Sequence, residues 1–339
     1  MKDLQHTNVR SLIMESGALD RLEALGDYVV TSMEVPWNIV CDQLSGEPEG
    51  VLFADSMERD VVERQIDAAP ECSTVVAIGG GRAMDLGKYM AHRRGIRLVS
   101  VPTVLSVDAF VTPAAGLREE GRVVYVGESQ PDPLVIDFEV LQTAPRELNI
   151  AGVGDLLSIH TAVFDWRTAA RAGKSEYPFS ESDCERALRL RDDVMRCADA
   201  IRNNDHEGLR AIVEGYLRMN QICLPAGHYR VEEGSEHYLF YELEQRTGRS
   251  FVHGPIIGLG IYVMSRMQNN EADRIIEFMD RVGLDYQPKS LGIDRQTLVD
   301  SLSNLKGYVA ARDDLWYSAI DEWDPSAVSI DTLVDGLRF

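Results

Sequence analysis

The run Gly79-Gly80-Gly81-Arg82-Ala83-Met84-Asp85 follows directly on the apolar stretch Val75-Val76-Ala77-Ile78. A buried strand that breaks into three glycines ahead of a helix lets the backbone approach a pyrophosphate with no Cβ in the way. The helix that follows, carrying Asp85 and Lys88, aims its free N–H groups at an anion. The spacing therefore predicts a nucleotide cofactor cradled by Gly79, Gly80 and Gly81, although it is not the G-x-G-x-x-G of an ordinary dinucleotide fold. A tight strand-to-helix turn that holds no ligand is the other reading of the same residues.

The surrounding pattern sets the fold class. Segments 27–31, 50–55, 73–78 and 96–101 read as buried strands separated by helix-length polar stretches, as in a parallel α/β sheet. Arg122 to Val126, after Glu119-Glu120-Gly121, suggests a hairpin arm. Leu134-Val135-Ile136-Asp137 then closes the sheet region, and Ala144-Pro145-Arg146 stops a short helix. Beyond about residue 148 the β-rich runs disappear. Glu181 to Asn203 and Glu207 to Leu224 carry apolar residues at helical spacing, and the polar stretch 172–182 is expected to be a long loop. The reading is an α/β nucleotide-binding domain with a Rossmann-like parallel sheet over 1–148 and an all-helical metal and substrate domain over 149–339, with a small-molecule site expected in the cleft between them.

Charge and cysteine usage exclude several classes. The 339 residues hold 34 Lys and Arg against 55 Asp and Glu, a net charge of -21 with no basic run, which argues against nucleic acid or an anionic membrane as partner. An anionic substrate would need a local cationic group to overcome that field. Cys41, Cys72, Cys184, Cys197 and Cys223 form no C-x-x-C pair, so neither a zinc ribbon nor a disulfide framework is indicated. No apolar run of membrane-spanning length and no signal-peptide core appears, and a cytoplasmic protein is expected.

Three residues stand out as candidate metal ligands: Asp155 in Gly152-Val153-Gly154-Asp155, His237 in Gly234-Ser235-Glu236-His237, and His253 in Val252-His253-Gly254. One carboxylate and two imidazoles suit a catalytic Zn²⁺ or a similar divalent ion, because three protein ligands leave a position open for a substrate oxygen. Their spacing matches no local ligand motif such as H-E-x-x-H, and an isolated histidine is more often a hydrogen-bonded structural residue.

The glycine turn, Pro102-Thr103, Ser106-x-Asp108, Ala144-Pro145, Gly152-x-Gly154-Asp155, Asp165-Trp166, Gly234-Ser235-Glu236-His237 and His253-Gly254 occur in one order. Together, from about Val75 to Gly260, they resemble the metal-dependent glycerol-1-phosphate dehydrogenases, relatives of glycerol dehydrogenase and dehydroquinate synthase. The resemblance implies a two-domain homo-oligomeric enzyme using NAD(H) or NADP(H) and one divalent metal, Zn²⁺ or alternatively Fe²⁺ or Ni²⁺. Asp155, His237 and His253 would be the ligands. Gly79, Gly80 and Gly81 would hold the pyrophosphate with Asp85 and Lys88 on their helix. Thr103, Ser106 and Asp108 would lie along the nicotinamide and substrate, Asp108 hydrogen-bonding a substrate hydroxyl. The implied reaction is reduction of dihydroxyacetone phosphate, or of a close phosphorylated or phosphonate ketone, with the ion polarising the oxygen at C2 while nicotinamide delivers hydride to that carbon.

Two further residues take roles from the same resemblance. Arg230, seven residues before His237, is a candidate phosphate clamp, with solvated surface arginine as the alternative. Tyr241 stands where the family usually has a second histidine, and is either a proton relay or a packing aromatic. Pro255-Ile256 after His253-Gly254 also departs from the usual polar residues, and Glu232 and Glu233 would repel a phosphate they faced. His160 and His228 are read as structural. Thr31-Ser32-Met33-Glu34 lacks the acidic residue that some relatives use for the adenosine ribose, which leaves NAD and NADP both open. A sugar-phosphate cyclase of the dehydroquinate synthase type is the competing function, with few lysines to build its pocket, and a binding protein that has lost catalysis is the third.

Overall fold

A computed structural model describes residues 4–22, 25–120 and 122–339. The chain forms two compact units, one of residues 1–149 with 204–209 and one of 150–203 with 210–339.

In the first unit β1 (Leu12–Glu15), β2 (Tyr28–Ser32), β3 (Gly50–Phe53), β4 (Thr74–Gly79), β5 (Arg97–Pro102) and β8 (Pro131–Asp137) make one parallel sheet in the order β1-β8-β5-β4-β2-β3. The helices α1 (Glu34–Val40), α2 (Arg59–Ala68), α3 (Gly81–Arg94) and α4 (Phe138–Thr143) connect or follow these strands. Every residue of β2 and β4 is buried, as expected for parallel strands covered on both faces. Tyr28, Val30, Val76, Ile78, Val99, Val101 and Val135 form one apolar cluster on the sheet. β6 (Ala115–Glu119) and β7 (Arg122–Val126) pair as the expected hairpin, and Gly121, expected at its turn, lies outside the described residues. β8 is the last described strand in chain order, as expected, but it is not at the edge of the sheet. It runs between β5 and the edge strand β1, which sequence reading passes over because four half-buried residues carry too short a pattern. Chain order reverses between β2 and β4, with β3 on one side and β5 on the other. The carboxyl ends of those two strands therefore flank the switch point of the sheet, where open α/β sheets bind ligands.

α5 (Arg146–Ala151) lies at the junction of the two sequence regions. The second unit is built from α6 (Val153–Arg171), α7 (Glu181–Arg196), α8 (Ala198–Asn203), α9 (His206–Ala226), α10 (Ser235–Thr247), α11 (His253–Met267), α12 (Ala272–Val282), α13 (Pro288–Leu291), α14 (Arg295–Ala310), α15 (Ala319–Glu322) and α16 (Ile330–Val334), with no strand among its described residues. The single helix expected over 181–203 is two, broken at Cys197, where neither Gly nor Pro marks the sequence. α6 and α11 are buried nearly all round, which places them at the centre of this unit, and α10 packs against both. No described helix is long and apolar enough to cross a membrane.

Candidate active site

The glycine turn sits where β4 and β5 end side by side, with Gly79 in register with Pro102. Gly79 has φ +142, a conformation that L side chains rarely adopt, and the Thr103 N–H donates to its carbonyl at 3.1 Å. A Cβ on Gly80 would lie 2.9 Å from Val104 Cγ1 and 3.9 Å from Ser106 Oγ. Close packing of the 103–107 loop thus already demands glycine here, whether or not a ligand is bound. The fold brings Gly79, Gly80, Gly81, Thr103 and Ser106 together, and Asp108 opens a short 3-10 turn, Asp108–Phe110, just beyond.

Asp85 and Lys88 are otherwise engaged than the sequence suggests. The Lys88 Nζ is buried 2.8 Å from Asp85 Oδ1, and it donates to the Ala114 carbonyl at 2.6 Å and to Thr112 Oγ1 at 3.2 Å. Asp85 in turn accepts from the Gly116 N–H, and burial pushes its carboxyl up against the pull of Lys88. Their polar atoms tie α3 to the β6 arm, because one helical turn carries them past the first N–H groups and onto the face that packs there. At the end of β2, Ser32 Oγ donates to the Ile78 carbonyl at 2.8 Å, so its hydroxyl joins β2 to β4.

In the helical unit Asp155, His237 and His253 present ligand atoms that all lie within 4.8 Å of one another. His253 Nε2 is 2.9 Å and His237 Nε2 3.8 Å from the same oxygen, Asp155 Oδ1. Each residue stands in the first turn of its helix, α6, α10 and α11 respectively. Two glycines make that convergence possible. A Cβ on Gly254 would lie 1.8 Å from the Ala151 carbonyl oxygen, and one on Gly154 would lie 2.6 Å from Gly254 Cα. Only backbone fits where the two helices start, which accounts for glycine next to both Asp155 and His253 in sequence.

Three helix N-termini present partial positive charge, which alone repels a cation. Carboxyls reverse the balance. Asp155 is held below the usual carboxylate range: burial works against ionisation, but His253, His237 and the Tyr216 hydroxyl outweigh it. Tyr216 OH lies 3.3 Å from Asp155 Oδ2 and donates to the Gly152 carbonyl at 2.6 Å, fixing the carboxylate from α9. Burial would lower the His237 pKa, yet the hydrogen bond and charge of Glu236, with Glu233 and Asp155, raise it to about 9. Glu233 feels the same cluster, and burial pushes its carboxyl up while His237 and His253 pull it down. Asp155 Oδ1 is buried and accepts no aligned hydrogen bond from the described residues. A buried carboxylate oxygen whose near neighbours are two imidazole nitrogens is the donor set of a divalent cation.

Arg230 is neither surface-exposed nor solvated. Its side chain is fully buried, Nη2 donates to the Tyr317 carbonyl at 3.0 Å, and the guanidinium lies 5.1 Å from the Trp316 ring centre. Nε and Nη1 have no hydrogen-bond partner among the described residues, which leaves two donors of a buried cation facing no acceptor. Tyr241 stands on α10 with its ring 6.2 Å from that of His237 and under the Arg312 guanidinium at 5.9 Å. Asp165, buried one turn above Thr161, accepts from Ser235 N–H and Ala319 N–H at 2.8 Å each, and burial together with Glu236 raises its carboxyl to about 6. Trp166 packs edge-on against Phe179 and His228.

His160 and His228 are structural in their contacts. His160 Nε2 is 2.7 Å from the Asn270 carbonyl, Arg191 Nη1 is 2.8 Å from its Nδ1, and burial lowers its pKa to about 4. Sequence reading missed Tyr216, which lies in mid-helix with no local signal. It took Glu233 only for an acid hostile to phosphate, whereas the fold sets that carboxyl beside the histidine pair.

Residues 35–145 match the model of the iron-containing alcohol dehydrogenase family. The chain is 32% identical over 244 residues to the glycerol-1-phosphate dehydrogenase [NAD(P)+] of Thermococcus kodakarensis, covering 71% of this chain and 69% of the relative. It is 31% identical over 289 residues to the enzyme of the same name from Sulfurisphaera tokodaii, covering 83% and 82%. Among solved structures, a probable glycerol dehydrogenase from Sinorhizobium meliloti aligns with a TM-score of 0.70 at 22% identity, over 92% of this chain and 91% of that one. Glycerol dehydrogenase from Schizosaccharomyces pombe aligns with a TM-score of 0.70 at 20% identity, over 93% and 84%. These last two likenesses establish the fold.

Proposed function

We propose, because the chain belongs to the glycerol-1-phosphate dehydrogenases of the iron-containing alcohol dehydrogenase group, that it is a metal-dependent NAD(P)H oxidoreductase reducing dihydroxyacetone phosphate to glycerol 1-phosphate. The observation that carries the reading is the Asp155–His237–His253 trio, with both imidazole nitrogens converging on Asp155 Oδ1, in a chain with these relatives. Relatives that are dehydrogenases by name leave nothing to favour the cyclase alternative. Residues 1–148 take the role of cofactor domain and 149–339 that of metal and substrate domain, in a cytoplasmic homo-oligomer.

Asp155, His237 and His253 hold one divalent ion, Zn²⁺ by donor set, with Fe²⁺ and Ni²⁺ served by the same atoms. When bound, the ion supplies Lewis acidity at a carbonyl or hydroxyl oxygen, and the nicotinamide supplies or accepts the hydride. The turn Gly79-Gly80-Gly81 carries the pyrophosphate at the carboxyl end of β4, beside the switch point of the sheet, with Thr103 and Ser106 lining the nicotinamide side. Asp85 and Lys88 are left to a supporting role under that turn. Asp108 orients a substrate hydroxyl. Arg230 offers Nε–H and Nη1–H to the phosphate, an anion that a chain of net charge -21 otherwise repels. Tyr241 lies near enough to His237 to pass a proton to the product oxygen or to fill space beside it, and Tyr241→Phe separates the two, since only the first role needs the hydroxyl.

The test strips metal from the protein, reconstitutes it with Zn²⁺, Fe²⁺ or Ni²⁺, and follows NADH and NADPH oxidation with dihydroxyacetone phosphate and with unphosphorylated dihydroxyacetone. Turnover is expected only with metal, and with strong preference for the phosphorylated ketone. A metal-loaded protein that binds either cofactor and reduces neither ketone overturns the assignment.

A further inference from the structure

We infer that Glu236 is a positioning residue that fixes the ring orientation and proton of His237, so that Nε2 alone is presented to the metal; the inference rests on the reading of Asp155, His237 and His253 as ligands. Glu236 is fully buried, and its Oε1 lies 2.8 Å from His237 Nδ1. The same oxygen accepts the Gly234 N–H at 2.7 Å, and Oε2 accepts the Thr161 hydroxyl at 2.6 Å. The carboxylate is thus anchored by α6 and by the backbone at the start of α10, independently of the histidine. A ring turned over by 180° would put a C–H against Oε1, so the arrangement selects the orientation with Nδ1–H on Glu236 and the Nε2 lone pair toward Asp155 Oδ1.

Close approach is built into the same motif. A Cβ on Gly234 would lie 2.7 Å from Asp165 Oδ2 and 2.8 Å from Ala162 Cα, so glycine lets α10 begin hard against α6 with its N–H within reach of Oε1. Each residue of Gly234-Ser235-Glu236-His237 then has a task. Gly234 gives the approach, Ser235 donates its N–H to Asp165 Oδ2 at 2.8 Å, Glu236 accepts the imidazole proton and His237 meets the ion.

Glu236→Gln separates orientation from charge. The amide carbonyl still accepts from Gly234 and Nδ1–H, and its NH₂ meets Thr161 Oγ1, whose own proton turns from the carboxylate to the Ser158 carbonyl 3.1 Å away. Metal-free protein is titrated with Co²⁺, reading both affinity and the visible ligand-field bands, with Zn²⁺ competition as a second measure. From the usual worth of outer partners of metal-bound histidine, Glu236→Gln is expected to weaken Co²⁺ about tenfold with nearly unchanged bands, and Glu236→Ala roughly a hundredfold with shifted bands. Thr161→Val, which removes one anchor, falls between wild type and Glu236→Gln. His237→Ala serves as the control and is expected to lose tight binding altogether. Wild-type affinity and bands in both Glu236 variants, with binding lost in His237→Ala, overturn the positioning role and leave the ligand trio standing. Wild-type protein that takes up no Co²⁺, or His237→Ala that binds normally, overturns the trio and this inference with it. Should Glu236→Ala fail to fold, Glu236→Gln and Thr161→Val decide by the same readings.

Discussion

The glycine turn at the end of β4 and the cluster at the starts of α6, α10 and α11 differ in how far their neighbours account for them. Around the turn every close approach has a protein partner: Val104 beside Gly80, the Thr103 N–H on the Gly79 carbonyl, Lys88 and Asp85 on each other and on the β6 arm. In the helical unit the packing is just as tight, yet two Arg230 donors are buried without an acceptor among the described residues, and Asp155 Oδ1 is faced only by two imidazole nitrogens with no aligned hydrogen bond. Buried polar groups left unpaired cost about 1–3 kcal/mol each, more when charged, and such a cost persists where a ligand offsets it. A glycine-rich turn is therefore ambiguous between packing and binding, whereas an unsatisfied buried charge points outside the chain.

The largest expected effect breaks the helical side of that comparison. His237→Ala or His253→Ala leaves two ligands, and metal content measured after dialysis should fall by more than the roughly 10–100-fold that loss of an outer partner produces. The melting temperature of the metal-free form should stay close to wild type. Stoichiometric metal in either variant would mean that the cluster is not the site.

Next comes the turn. Gly80→Val places a branched side chain against Val104, so the variant should lose dinucleotide binding by calorimetry and also about 1–3 kcal/mol of stability from overpacking. Adding Val104→Ala relieves the contact and sharpens the comparison. If stability returns while NADH and NADPH binding does not, the glycine serves the cofactor; if both return, it serves packing alone.

A smaller effect is expected at Arg230. Arg230→Met should weaken dihydroxyacetone phosphate binding by about 1.5–3 kcal/mol, the worth of a hydrogen bond to a charged group, with NADH affinity unchanged. Equal losses for the phosphorylated and unphosphorylated ketones would show that the guanidinium does not read the anion.

The smallest effect concerns His160, an imidazole whose burial outweighs the charge of Glu271. Its folded pKa of about 4 lies below the reference value of 6.5, so between those values the unfolded chain binds more protons. Its contribution to stability is complete above pH 6.5 and is lost as pH falls toward 4, at no more than about 1.4 kcal/mol per pH unit. Urea titrations of the metal-free protein across that range should show a shallower slope for His160→Gln. An unchanged slope would assign the acid sensitivity to other groups.

Much of the fold was legible because parallel strands buried on both faces leave continuous apolar runs, and because a helix-rich second half leaves a 3.6-residue repeat. β1 was not, since four half-buried residues carry too little pattern, nor was the break at Cys197, which no Gly or Pro marks. Asp155, His237 and His253 were legible as residue types in an ordered set of motifs. The burial of Arg230 was not, because a single arginine in a loop reads the same whether it faces water or Trp316.

By itself, then, the sequence determined the alternation of most strands and helices in the first half, the helical character of the second, the presence of a glycine break after a buried strand, and the inventory of one carboxylate and two imidazoles. Only the tertiary structure decided which polar atoms meet. It set two helix starts in contact through Gly154 and Gly254, turned His237 and His253 toward one oxygen of Asp155, and spent Asp85 and Lys88 on the β6 arm instead of the turn. The physical reason is range: periodicity and turn chemistry act between residues a few positions apart, whereas Asp155 and His253 are brought within 2.9 Å by helices whose close approach is fixed where they cross.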